Sequence, residues 1–190
     1  VPRRAARTSP RPRRRAIRPA AVRAGAAAAI LLLAGCAGSE PPACPDGRAL
    51  GEAARMVAFR DGGKDVTDRR FEARITDVAV ACDVDRDDDR QTVRAEMKVR
   101  FAAEKGPANR DDAATFRYFV AIAGPQDRIL RRRAFETTIP LAGNSTRAAT
   151  VETVSPTLPL TPDANPRAYR FLVGFELDQA QLRYNRQNPL

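Results

Sequence analysis

From Val93 to Phe101 the chain alternates five apolar residues (Val93, Ala95, Met97, Val99, Phe101) with four charged ones (Arg94, Glu96, Lys98, Arg100). A period of two sends successive side chains to opposite faces, so this segment is a strand with one face on a core and the other in water. Such a strand belongs in an antiparallel sheet. Strands of a parallel sheet are covered on both faces and read as continuous apolar runs instead.

The same period recurs on both sides of this segment. Phe71, Ala73 and Ile75 alternate in one parity and Val78, Val80, Cys82 and Val84 in the other, which predicts a bulge near Thr76-Asp77 that restores a common face. Further strands are expected at Phe116 to Ala123, Ile129 with Ala134 to Ile139, Ala148 to Val154 and Tyr169 to Leu177. Breaks are expected at Asp85 to Arg90, Lys105 to Asp112, Gly124-Pro125, Ala142 to Ser145 and Ser155 to Asn165, where Asp, Gly and Pro collect. About seven strands over about 110 residues point to an antiparallel β-sandwich of immunoglobulin-like type, with a small barrel as the rival closure. Phe119 has the opposite parity to Phe116, so its strand is expected to be central and covered on both faces. Leu50, Ala54 and Val57, with Ala53 and Ala58 beside them, fit one face of a short N-terminal helix ending before Gly62-Gly63. A second short helix is expected after Asp178, whose side chain can cap it.

Charge is distributed unevenly. The 190-residue chain has a formal net charge of +10, a balance that ordinarily suggests nucleic acid or an anionic membrane as partner. Nine of its 33 basic residues lie within residues 1–35, which contain no Asp or Glu, so the remainder holds 24 bases against 23 acids. The folded part is therefore near neutral, and no nucleic-acid partner is expected. The nine arginines precede Ala24 to Gly35, an uncharged stretch of twelve residues. As a helix it would cover about 18 Å, against the roughly 30 Å of a bilayer's hydrocarbon core. A basic region, a short apolar region and small residues at the exit make residues 1–35 a cleavable signal peptide. The basic region is long and begins with Val1, which suggests an upstream or alternative start. Arg13-Arg14-Arg15 fits a twin-arginine export signal poorly, given the Ala16-Ile17-Arg18-Pro19 that follows.

Leu33-Ala34-Gly35-Cys36 at the exit resembles the lipobox of bacterial lipoproteins at all four positions. The resemblance implies a diacylglycerol on the Cys36 thiol, cleavage just before Cys36 and acylation of the new amine, so that several acyl chains anchor the chain to a membrane. Ala37, rather than Asp, follows the cysteine, which in that family favours the periplasmic leaflet of the outer membrane. Residues 36–43 are then a lipidated cysteine and tether, and residues 44–190 a periplasmic domain. With Cys36 consumed, two of the three cysteines remain. In an oxidising compartment Cys44 and Cys82 can pair as a disulfide; the alternative is that Cys82 is a small buried thiol in its strand.

Few residues point to catalysis. The chain has no His, which excludes His-dependent triads, HExxH zinc sites and imidazole bases. Ser39, Ser145 and Ser155 do not lie in GxSxG, and there is no P-loop or GxGxxG. Asp85, Asp87 and Asp89 occupy alternate positions, and Glu96 falls at the twelfth, the ligand spacing of a calcium loop. Arg90 stands where that loop needs Gly, and Glu96 lies inside the best strand, so a solvated hairpin turn is the competing reading. Glu136, Glu152 and Glu176 could supply the paired carboxylates of an envelope hydrolase, or simply occupy exposed strand faces. Arg131-Arg132-Arg133 can protect a strand edge or contact lipid phosphates and anionic envelope polymers. The expectation is a lipid-anchored, non-catalytic binding or assembly domain. Its only cofactor-like group is the covalent lipid on Cys36, and its partners are the membrane and a protein of the envelope.

Overall fold

The computed structural model describes residues 43–189. The signal peptide expected over residues 1–35, the acylation expected at Cys36 and the expected tether up to residue 42 lie outside the described residues.

The described residues form the strands β1 (Asp46–Ala49), β2 (Arg55–Phe59), β3 (Arg69–Arg86), β4 (Gln91–Lys105), β5 (Ala113–Ala123), β6 (Ile129–Pro140), β7 (Arg147–Val154), β8 (Thr157–Leu160) and β9 (Arg170–Phe175), followed by the helix α1 (Gln179–Gln187). One sheet has the order β1-β9-β5-β6 and the other β2-β3-β4-β7, with β8 continuing along β4 beyond the end of β7. Every pair is antiparallel except β1 with β9. The two sheets pack face to face as a β-sandwich.

The alternation that marked β4 sets the core. Val93, Met97, Val99 and Phe101 are 0% exposed, while Arg94, Glu96, Lys98 and Arg100 face solvent. The β3–β4 register shifts between Ile75 and Asp77, at the expected bulge. Both apolar runs of β3 therefore face the same interior. Phe101 is the centre of an aromatic group, its ring 4.8 Å from Tyr118, 5.3 Å from Phe116 and 5.8 Å from Phe175. In β5, Tyr118, Val120 and Ile122 face this core, whereas Phe119, Ala121 and Ala123 form a second small cluster with Leu172 on the outer side. β5 lies between β9 and β6, and from Tyr118 to Ala123 it is buried on both faces, as its mixed parity required.

Two segments depart from expectation. The helix expected around Leu50, Ala54 and Val57 is instead β1, a single 3-10 turn at Gly51–Ala53, and β2. Backbone pairing decides this: β1 aligns with β9, the Leu50 N–H donates to the Val173 carbonyl at 2.7 Å, and β2 pairs along β3. Two glycines weaken the helical alternative, and tertiary pairing overrides a marginal propensity. Gly47 is needed where it is, since a Cβ there would stand 2.3 Å from Val80 Cγ2 on the facing sheet. Strand β8 falls within the expected break after Ser155. Pro159 can sit in it because β8 pairs on one side only, leaving the missing donor unneeded, and Leu158 and Leu160 are buried.

Helix α1 begins as expected. The Asp178 side chain accepts from the Gln181 N–H at 2.8 Å, and the Gln181 side chain accepts from the Asp178 N–H at 2.9 Å, a reciprocal cap. Asn185 then fastens the helix to the N-terminal strands, its buried amide donating to the Glu52 and Arg55 carbonyls at 2.7 Å each. Asn185→Leu should therefore cost about 1–3 kcal/mol, because two carbonyls lose their donor. Urea denaturation of the two chains measures it, and a midpoint unchanged by the substitution would contradict the bracing role.

Candidate functional site: an arginine groove at the open edge of the sandwich

The two lateral edges of the sandwich differ. At one edge Cys44, just before β1, and Cys82, in β3, stand at disulfide distance with Cα atoms 5.9 Å apart. This link joins the sheets, since β1 belongs to one and β3 to the other. At the opposite edge β6 faces β7 and β8, and among the described residues no disulfide fastens them.

The arginine run lies on this second edge, and strand geometry divides it. Arg131 is opposite Ile122 and Arg133 opposite Val120, both core-facing partners. Arg132 is opposite Ala121 and points to the outer face. There its guanidinium stacks 4.2 Å from the centroid of the Phe119 ring and pairs with Glu176 at 3.1 Å. Arg131 and Arg133 instead line a groove of about 450 Å³ between β6 and the β7–β8 segment. Val120, Ile122, Phe135, Val154 and Pro156 supply its apolar surface, and no acidic residue lines it. Among the described residues neither arginine has a carboxylate within ion-pair distance; Arg133 lies 5.1 Å from the centroid of the Phe135 ring. Phe135 stacks in turn on Tyr118, 5.3 Å between centroids. Burial, together with the Glu152 carboxylate, pushes the Tyr118 hydroxyl up to about 12, so it is neutral at any physiological pH. The groove thus combines an apolar lining that includes one aromatic ring, Phe135, with two exposed cations.

Of the acids singled out in the sequence, only Glu136 and Glu176 come near one another, either side of Arg117. Residues 87–90 connect β3 and β4, and the Asp87 N–H closes the turn on the Arg90 carbonyl at 2.8 Å. Asp85 is paired with Arg94 at 3.0 Å, and Glu96 with Lys98 at 3.2 Å. Asp85 stands opposite Thr92 and Glu96 opposite Ala81, which separates the two by four residues along the ladder, about 13 Å. The twelve-position calcium register of Asp85, Asp87, Asp89 and Glu96 is therefore not realised, because an extended hairpin draws its ends apart where a calcium loop would curl. Among the described residues no group of three or more His, Cys, Asp or Glu side chains is placed to hold a metal. Glu136 and Glu176 lie beside Arg117 on the outer face of the β5–β6 sheet, Glu176 paired with it at 3.2 Å. Glu152 belongs to the other sheet and accepts from the Thr137 hydroxyl at 2.7 Å.

A further charged assembly escaped sequence reading. On the outer face of the second sheet Glu72, only 8% exposed, pairs with Arg55 at 3.0 Å, Arg69 at 3.2 Å and Arg74 at 2.6 Å. Arg69 and Arg147 continue it to Glu104. Burial pushes the Glu72 carboxyl up, but hydrogen bonds from Arg74 and Arg55 and their charges outweigh it and hold its pKa below the usual carboxylate value. These residues tie β2, β3, β4 and β7 together, and their charges are used on one another. The groove arginines are not so engaged.

No protein-family model matches this chain, and no curated protein or solved structure matches it.

Proposed function

We propose that this chain is a lipid-anchored protein of the bacterial envelope whose β-sandwich is a non-catalytic binding or assembly module, working through the groove between β6 and β7–β8. The inward-facing pair Arg131 and Arg133, over an apolar surface and without carboxylate partners, carries the binding part of this reading. A guanidinium presented without a partner at an apolar surface favours an anionic ligand, since binding there exchanges little existing pairing for a charge-assisted hydrogen bond. Leu33-Ala34-Gly35-Cys36 carries the anchoring part, and Ala37 favours the periplasmic face of the outer membrane. The small, Pro-containing stretch after Cys36 suits a tether that lets the domain reach partners near the bilayer.

Metabolic labelling with a palmitate analogue, followed by crosslinking in the intact envelope, tests both parts. Wild-type protein should be labelled and sediment with membranes, Cys36→Ala should do neither, and a photocrosslinker at Thr157 in the groove should trap an envelope component that one at Val151 does not. An unlabelled wild type removes the anchor, and equal trapping at the two positions removes the groove as the working surface.

A further inference from the structure

We propose that the groove between β6 and β7–β8 holds one acyl chain of an anionic lipid, with the lipid's phosphate clamped between Arg131 and Arg133. This deepens the binding module proposed above and rests on it for the membrane source of the lipid.

The argument is one of complementarity. An inorganic anion would be served by the guanidiniums alone and would leave the apolar lining of Val120, Ile122, Phe135, Val154 and Pro156 unused. A neutral apolar ligand would leave two cations at its rim uncompensated. A ligand with a chain and an anionic head satisfies both, and about 450 Å³ is within the range of sites that hold such molecules. The two arginines are two residues apart on one face of β6, which places them side by side along the strand about 7 Å apart at the backbone. Two planar forks at that spacing can approach one phosphate from both sides. Ionisable groups facing the site from the strands packed against it are few: Tyr118 is neutral, and Glu152 accepts from Thr137, four residues along β6 from Arg133, and does not line the groove. Thr153, Ser155 and Thr157 supply neutral polar atoms on the opposite wall. β6 and β7 are also free sheet edges, so an acidic peptide adding as a strand is the rival occupant. The apolar lining favours the lipid, because an acidic strand offers it less to bury.

Arg132 provides an internal control, being adjacent in sequence, identical in charge and on the opposite face. The experiment titrates the full chain with dodecyl phosphate below its micellar concentration and follows binding by calorimetry. Wild type should bind, Arg131→Gln/Arg133→Gln should bind about tenfold more weakly or worse, and Arg132→Gln should stay within about twofold of wild type. All three side chains are exposed, so all three proteins should melt alike. Inorganic phosphate and dodecyl maltoside, each with half of the required chemistry, should bind far more weakly than dodecyl phosphate. Equal loss in the Arg132 variant, or inorganic phosphate binding as well as dodecyl phosphate, overturns the proposal. So does an acidic peptide that binds while dodecyl phosphate does not. Because the titration needs no acylation, failure of Cys36 labelling and failure of dodecyl phosphate binding are read separately: the first removes the membrane as source, the second the lipid site.

Discussion

Replacing Cys44 and Cys82 together by alanine is expected to lower the stability of the domain by about 4 kcal/mol, the chain-entropy value for a loop of this length. The cysteines are 38 residues apart, and the loop they close contains β1, β2 and most of β3. Without the link the unfolded chain gains freedom and the folded one loses the covalent bond between its sheets. β1 depends on it most, since it is four residues long and lies at a sheet edge beside β9. Urea denaturation with and without reductant checks this. The wild type should shift to a lower midpoint on reduction and coincide with the double variant, whose midpoint should not respond to reductant. A wild type indifferent to reductant would contradict the pairing.

Glu72→Gln is expected to cost about 3 kcal/mol at neutral pH, in the range seen when one partner of a buried ion pair is removed. Glutamine keeps the shape but withdraws the charge around which Arg55, Arg69 and Arg74 converge, leaving three guanidiniums facing one another. The pH dependence follows from the lowered pKa of Glu72. Its contribution is complete above the unfolded carboxyl value of about 4.3 and is lost as the pH falls through the lower folded value. Wild-type stability should therefore decline below about pH 4.5, and Glu72→Gln should show a shallower decline from a lower plateau. Parallel acid titrations of the two proteins would exclude Glu72 as the source.

Which parts of this structure could be read beforehand depended on whether a local pattern had one physical cause. In β4 alternation has one cause, a strand with a dry face and a wet one. The parity change in β3 likewise required a bulge, and Asp178 could cap only what followed. Around Leu50 to Val57 the same apolar residues serve a helical stripe or two short strands, and the choice was made by β9 and β3, distant in sequence. β8 was hidden by its proline, which is tolerable only because its position leaves one edge unpaired. The groove was half visible. That Arg131 and Arg133 share a face and Arg132 does not follows from the period of two, but that β6 is an edge strand, with the end of β7 and Pro156 across from it, is a property of topology. The Glu72 assembly was invisible for the same reason, since its members come from four strands.

The position of Cys44 also governs how the domain carries load. A pull on the chain N-terminal to Cys44 does not reach β1 first. It passes through the sulfur bridge into β3, an 18-residue strand paired along β4. Tension that would otherwise unzip a four-residue strand one hydrogen bond at a time is delivered at the Cys82–Ala95 pair, inside the longest ladder among the described residues. There many bonds must yield together, so the anchor proposed at Cys36 would pull without peeling the sandwich open.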